Sequence, residues 1–369
     1  MKILSIETSC DETAVSILEI DGDLAKPKIK VLGNTLLSQA VLHEQYGGVY
    51  PNLAKREHQK NLPILLEQTL KQAHLEVGLP SVDFIAVTAG PGLEPALWVG
   101  ITFAEELGRK WNKPVVPVNH MEGHVFSVLY NADKPLELPA LALLISGGHT
   151  ELVHIRDFGD YEIIGRTLDD AVGEAFDKVA RMLGLSYPGG PIISKLAQEA
   201  RTEKLESDLK FPRPMINSGN LNFSFSGLKT AVLYKLRDEK REDDEFKRMV
   251  AREFEDAVTD VLVEKTRRAL SSLDTPIKTL IIAGGVSANT FISLAFAKLA
   301  SEFPTLTLRL PTRELTTDNA IMIGIAAYVR VKSEPKILND NSALIAKGNL
   351  SINSEYNRTT SLSEDIKDN

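Results

Sequence analysis

Apolar positions near the start of the chain fall into three short runs, KILSI (2–6), AVSILEI (14–20) and KVLGNTLLS (30–38), separated by polar, turn-rich pieces. Runs of this length and spacing predict an N-terminal β-meander. The period becomes helical in NLPILLEQTLKQAHLEV (61–77), and DFIAVTAGPG (83–92) reads as a buried strand entering a Gly-Pro loop. The order then returns. LALLISGGH (141–149) and ELVHIRDF (151–158) predict another hairpin, and KTLIIAGGVSAN (278–289) a buried strand opening on glycines before a helix. Two lobes, each mixing sheet and helix, are expected, because 369 residues exceed what one hydrophobic core usually organises.

A further helix is predicted from Thr167, where Thr167 and Asp170 match the S/T-x-x-D/E start signature and Gly184 supplies a stop. Ala171, Val172, Ala175, Phe176, Val179, Met182 and Leu183 fall on one arc, which puts Asp170, Glu174 and Asp177 on the other face, toward solvent or a cleft. From about Ser333 the composition turns polar, and NSEYNRTTSLSEDIKDN (353–369) lacks the apolar content to pack. The expected organisation is an N-terminal lobe over 1–132, a C-terminal lobe over 133–320, a helix within 321–345 packing back on the first lobe, and a disordered polar tail over 346–369.

Bulk chemistry narrows the function classes. No apolar run approaches the roughly 20 residues of a membrane span, and Met1 leads directly into a strand pattern, so a cytosolic protein without membrane association is expected. The single cysteine, Cys10, excludes an internal disulfide and a thiolate zinc cluster; any metal therefore sits on His, Asp or Glu. A net charge of −8 argues against broad unaided nucleic-acid binding. Lys195, Arg201, Lys204, Lys210 and Arg213 are interleaved with Glu199, Glu203, Glu206 and Asp208, which reads as a solvated surface before a binding patch.

Two local patterns carry candidate chemistry. HMEGH places His120 and His124 one helical turn apart, a spacing suited to two ligands of one metal ion, although two unrelated surface histidines fit it equally. Glu122 follows His120 by two residues, about 200° around a helix, so the general base of a zinc peptidase is missing from the ligand face. Asp318 in LTTDNAIMIG is a candidate third ligand, but it precedes a helix-like run, and from the residues alone a plain N-cap is the better reading. The second pattern is the set of paired glycines in SGGHT (146–150), YPGGP (187–191) and AGGVSAN (283–289), which allow close approach of backbone N–H groups to a phosphate or base. Three such turns behind the polar cluster SIETSCDETA (5–14) resemble the actin-like ATPase (ASKHA) superfamily, an α/β fold with a nucleotide between two related lobes.

The motifs SIETSCDET, GGVYPNLAKREH, TAGPGL, HMEGH, LLISGGHT, VGEAFDKVARMLGLSYPGGP, FPRP, FSFSGLKT, AGGVSAN and TDNAIMIG, in this order from about residue 1 to 330, resemble the bacterial branch of the TsaD/OSGEP threonylcarbamoyltransferase family. That resemblance implies a two-lobed fold with an active-site cleft between the lobes. It also implies transfer of a threonylcarbamoyl group from threonylcarbamoyl-AMP to N6 of the adenosine 3′ of the anticodon, in tRNAs reading codons that begin with A, with release of AMP. Matched position by position, His120, His124 and Asp318 resemble the family's ligands for one divalent metal, iron first and zinc as the alternative. Leu144, Ile145, Ser146, Gly147, Gly148, Asp177, Gly190 and Asn289 resemble its adenylate-binding residues, and Asp11, on a turn that faces the cleft in this fold, is the candidate for proton handling or tRNA positioning. Partners implied are tRNA and TsaB-like and TsaE-like proteins. The chain lacks the short Trp-Pro segment with which the family usually ends, which bears on partner contacts there. Rival readings are a kinase or ATPase on the same fold, a non-catalytic partner of such an enzyme, and the glycoprotease activity that the placement of Glu122 weakens.

Overall fold

The three N-terminal runs form β1 (Lys2–Glu7), β2 (Glu12–Asp21) and β3 (Lys28–Ser38), paired antiparallel in sequence. β4 (Phe84–Gly90) then lies parallel to β1, and β5 (Val115–Asn119) parallel to β4, giving the order β3-β2-β1-β4-β5. A computed structural model of the chain describes residues 1–241, 243–340 and 342–354. The residues divide into two units: one holds Met1–Gln39, Val49–Pro135 and the chain from Asp318 on, the other Ala40–Gly48 and Leu136–Thr317.

In the first unit, alternation along β1 decides what covers each face of the sheet. Leu4 and Ile6 join Val15, Ile17, Ile85 and Val87 in a core closed by Leu62, Leu65, Leu66 and Leu70 of α2 (Pro51–Gln72) and by Leu97, Ile101 and Ala104 of α3 (Glu94–Trp111). The intervening Ser5 turns the other way; its hydroxyl lies 2.7 Å from that of Ser16 and 2.7 Å from the Ala320 carbonyl at the start of α10 (Ala320–Ser333). Gly324 lets α10 approach this face, since a Cβ there would stand 2.5 Å from Leu18 Cδ1. The short helix α4 (His120–Phe126) follows β5 directly.

The second unit repeats the plan. β6 (Ala140–Ile145), β7 (Thr150–Asp157) and β8 (Asp160–Arg166) are antiparallel neighbours, β9 (Thr279–Ala283) is parallel to β6 and β10 (Thr307–Arg309) parallel to β9, in the order β10-β9-β6-β7-β8. Its helices are α1 (Ala40–Glu44), α5 (Val172–Met182), α6 (Gly189–Thr202), α7 (Ser226–Glu239), α8 (Asp244–Ser272) and α9 (Thr290–Ser301). Phe176, Val179, Ile193, Val250, Phe254 and Val258 pack with Leu141, Leu143 and Ile145 of β6 in one core.

Three expectations shift. The helix expected over 61–77 begins at Pro51 and ends at Gln72. His58 and Asn61 lie on its buried stripe and mask the apolar period in its first half, while His74 at φ 53° turns the chain out of the helix before Leu75. The helix expected from Thr167 begins at Val172, because Thr167 instead bridges to Phe223 and its hydroxyl donates to the Asp170 carbonyl at 2.9 Å. Asp170 is therefore outside the helix and binds Lys178 at 2.8 Å and Lys229 at 3.1 Å. The polar end packs further than its composition implied: Leu344, Ala346, Leu350 and Ile352 are buried, Lys347 donates to the Ala89 carbonyl at 2.9 Å, and Gly92 donates to that of Gly348 at 3.1 Å. Residues 355–369 of the expected disordered tail lie outside the described residues.

Gly33 on β3 faces the backbone of α2, where an added Cβ would stand 2.4 Å from the Thr69 carbonyl oxygen. Gly33→Ala is expected to destabilise the protein by about 1–3 kcal/mol through forced separation of strand and helix. Denaturant unfolding measures this, and an unchanged midpoint would contradict the close approach.

Candidate functional site

The polar cluster 5–14 spans the end of β1, the turn and the start of β2, and most of it is buried: Glu7, Thr8 and Thr13 have no exposed surface, and Ser9 only 2%. Glycines of the following β4–α3 segment make this possible. A Cβ on Gly92 would meet the Ser9 carbonyl at 2.6 Å, and one on Gly100 would meet Thr8 Oγ1 at 2.4 Å. The turn is thereby pressed against the carboxyl ends of the parallel strands, where β5 also delivers α4.

The two histidines and Asp318 are set by asparagine caps. Asn119 Oδ1 accepts from the Met121 N–H at 2.8 Å and starts α4, so His120 and His124 stack on one side of it. Asn319 Oδ1 accepts from the Met322 N–H at 2.9 Å and starts α10. The cap position thus belongs to Asn319, not Asp318. Asp318 Oδ1 lies 3.2 Å from Nε2 of His120 and 3.2 Å from Nε2 of His124. Among the described residues, His120, His124 and Asp318 bring their ligand atoms within 4.8 Å of one another. Gly123 between the histidines faces Met322 and Ile323, which lets α4 and α10 pack closely enough for this convergence.

Electrostatics around the group have a definite order. Burial alone pushes the Asp318 carboxyl up, but the charge and hydrogen bond of His120, with the close approach of His124, hold it far below the usual range. Burial opposes protonation of His120, yet the carboxylates of Asp318 and Glu7 raise it well above an ordinary imidazole. Burial likewise raises Glu7, and His120 outweighs it, leaving that carboxyl lowered. Glu12 is pushed well up by burial, then by Asp318 and Asp11; Cys10 is pushed up by burial, Asp11 and Asp318. The carboxylates held ionised beside His120 are thus those of Glu7 and Asp318, and positive charge at the imidazoles is what keeps them so.

The residues fit a divalent metal. His124 is 1% exposed, and neither ring nitrogen has a hydrogen bond of acceptable geometry; the 3.2 Å approach of Nε2 to Asp318 is a close contact of the kind two ligands of one ion make. Two imidazoles and a carboxylate are a donor set common to zinc and non-haem iron sites that keep positions open.

Glu7 is the residue that sequence reasoning missed. Its Oε2 accepts from His120 Nδ1 at 3.1 Å and from the Thr88 hydroxyl at 2.6 Å, and its Oε1 accepts from the Ser9 N–H. This fixes the His120 tautomer and leaves Nε2 directed at Asp318. The available signal was an acid ending an otherwise apolar strand. Asp11 is also buried; its carbonyl accepts from the Gln39 N–H at 2.9 Å and its side chain engages Cys10 and Glu12. Glu122 is buried and stands outside the converging group.

The other predicted residues lie in the second unit. Leu144 and Ile145 end β6 with fully buried side chains, so any ligand contact from them comes through the backbone. Ser146 closes the following turn with the His149 N–H, and its carbonyl accepts from Gly173 at the start of α5 at 3.1 Å. Gly147, Gly148, Gly190 and Gly285 have open space where a Cβ would stand, whereas Gly173, Gly189 and Gly284 are packed. Gly284, at φ 93°, abuts the Ile145 carbonyl, so the turns after β6 and β9 touch. Asp177 accepts from the Gly189 N–H at 2.8 Å, which ties the start of α6 to α5. Asn289 caps α9 through Oδ1, 3.0 Å from the Ile292 nitrogen, and its Nδ2 donates to Glu255 at 2.6 Å.

Two sheets of one strand order, each with helices around it, define an actin-like α/β protein. HypF from T. kodakarensis has a similar structure, with a TM-score of 0.57 at 14% identity over 91% of this chain, which spans about half (49%) of that one. The family described as "TsaD: tRNA N6-adenosine threonylcarbamoyltransferase" matches residues 30–325. Relatives named tRNA N6-adenosine threonylcarbamoyltransferase include those of Persephonella marina, 46% identical over 90% of this chain and 91% of that protein, and Thermosipho africanus, 44% identical over 95% and 100%. The chain belongs to the TsaD family. That membership does not favour the kinase or ATPase reading.

His120→Ala and Asp318→Ala are each expected to abolish metal binding with the fold retained, and Glu122→Ala to leave metal content unchanged; elemental analysis with circular dichroism decides. Glu7→Gln is expected to weaken metal affinity by about 10–100-fold by loosening the His120 ring. Equal metal affinity in Glu7→Gln and the parent would remove that role.

Proposed function

We propose that His120, His124 and Asp318 hold one divalent ion, iron first and zinc second, and that the chain transfers the threonylcarbamoyl group from threonylcarbamoyl-AMP to N6 of the adenosine 3′ of the anticodon in tRNAs reading codons that begin with A. Family membership makes the chain a transferase acting on tRNA. The observation that carries the metal reading is the convergence of both Nε2 atoms on one Asp318 oxygen. When bound, the ion supplies Lewis acidity for the threonylcarbamoyl carbonyl.

The chain's own groups orient and neutralise. Glu7 holds the Nδ1 proton of His120 and keeps its other nitrogen a ligand. Backbone N–H groups of Gly147, Gly148 and Gly190, where no Cβ intrudes, receive the phosphate and the adenine, and Asp177 accepts from ribose hydroxyls. The N6 amine bonds to the carbamoyl carbon, the bond from that carbon to the phosphate oxygen breaks, AMP leaves with the electron pair, and Asp11 takes the N6 proton. TsaB-like and TsaE-like proteins are the proposed partners, and the cytosol, where tRNA is modified, the proposed location. No helix among the described residues is long and apolar enough to cross a membrane.

Asp318→Ala is expected to lower formation of the modified nucleoside by at least about a hundredfold, from purified threonylcarbamoyl-AMP and tRNA with partners present. Mass spectrometry of digested tRNA reads it, and undiminished product would overturn the metal's role.

The basic stretch 195–213 is largely neutralised within its own unit. Arg201 pairs with Glu255 and Asp256 at 2.5 Å each, and Arg213 pairs with Glu253 and, at 2.9 Å, Asp260. The isolated chain is therefore expected to bind tRNA weakly, with a log–log salt slope shallower than about −3, and partner proteins to steepen it. Tight binding with a steep slope by the chain alone would show that other cations form a phosphate-binding surface.

A further inference from the structure

Glu255 is a carboxylate with no exposed surface in the middle of α8, and the mechanism above gives it no task. Its two oxygens are divided. Oε1 accepts from Asn289 Nδ2 at 2.6 Å, and Oε2 accepts from Arg201 Nη1 at 2.5 Å. Arg201 is itself fixed from two more sides: its second nitrogen donates to Asp256 at 2.5 Å, and its guanidinium lies 3.5 Å above the Phe291 ring centre. The chain of contacts therefore runs from α6 through α8 to the cap of α9, all within the second unit.

The consequence falls on Asn289. Its Oδ1 is occupied by the Ile292 N–H, and one Nδ2 hydrogen by Glu255. An amide held at both ends cannot rotate by half a turn, so the second Nδ2 hydrogen points in one direction only. The turn Gly285–Ala288 leads directly into this residue, and the glycine turn before it abuts the end of β6.

We infer that Glu255 is a positioning residue for nucleotide recognition. By accepting one Asn289 amide hydrogen while Arg201 holds its other oxygen, it fixes the remaining Asn289 N–H as a donor for an acceptor atom of the adenylate. The inference rests on the reading that Asn289 touches the adenylate. A mere brace between α6 and α8 would need Arg201 and Glu255 but no link to Asn289.

The test is AMP affinity by calorimetry on the full, metal-loaded chain, for Glu255→Gln, Asn289→Ala and the double variant, with metal content and unfolding midpoint recorded for each. Glu255→Gln is expected to weaken AMP about tenfold at unchanged metal content, Asn289→Ala by a similar factor, and the double variant no more than Asn289→Ala alone. If Asn289→Ala is weakened but Glu255→Gln binds AMP like the parent, or if the two losses multiply, the inference about Glu255 fails and the reading of Asn289 stands. If Asn289→Ala itself binds AMP like the parent, the reading of Asn289 fails, and the inference with it. Should Glu255→Gln not fold, Arg201→Lys, which keeps the charge but loses the two-pronged grip, is expected to weaken AMP by about threefold in the parent and not in the Asn289→Ala background. An equal loss in both backgrounds overturns the inference.

Discussion

The buried hydrogen bond between Glu7 and His120 is the contact on which the first unit's chemistry depends. A carboxylate with no exposed surface is tolerable only if its oxygens are engaged, and here Thr88, the Ser9 N–H and His120 engage them. Burial would otherwise keep Glu7 protonated. Because His120 is present, the carboxyl is held below its usual range, and Glu7 in turn keeps the proton on His120 Nδ1. The turn after β1 brings Cys10 and Glu12 close to Asp318, and burial together with the neighbouring carboxylates pushes both toward their neutral forms, so further negative charge here costs stability unless a cation balances it.

Both units solve the problem of placing polar groups in the same topological way. Each sheet has three antiparallel strands followed by two parallel ones, and each places its candidate groups beyond the carboxyl ends of the parallel strands. In the first unit that end carries Glu7 as the last residue of β1 and His120 directly after β5; in the second it carries the glycine turns after β6 and β9. The side-chain chemistry differs completely. One end offers imidazole and carboxylate, the other backbone N–H groups exposed by Gly147, Gly148 and Gly285.

Much of this was legible in the chain, and the parts that were not have physical causes. The strands were readable because buried parallel and antiparallel runs keep their apolar signature, and the His120/His124 pair because a helix imposes its period on whatever it carries. The beginning of α2 was hidden by His58 and Asn61, polar residues on a buried stripe. Thr167 misdirected the start of α5 since a capping signature does not reveal that the hydroxyl will serve a bridge to a distant segment. Glu7 looked like any acid at a strand end; only the fold brings it to His120. From the residues alone Asp318 read as a cap; the structure gives the cap to Asn319 and brings the Asp318 carboxylate to the histidines.

X-ray absorption at the metal edge of the iron-loaded protein tests the central claim most directly, because it counts ligands without relying on activity. The account predicts a first shell of nitrogen and oxygen with multiple-scattering features of two imidazoles, reduced to one imidazole in His124→Ala. A shell of oxygen alone, or an imidazole count unchanged by His124→Ala, would contradict it.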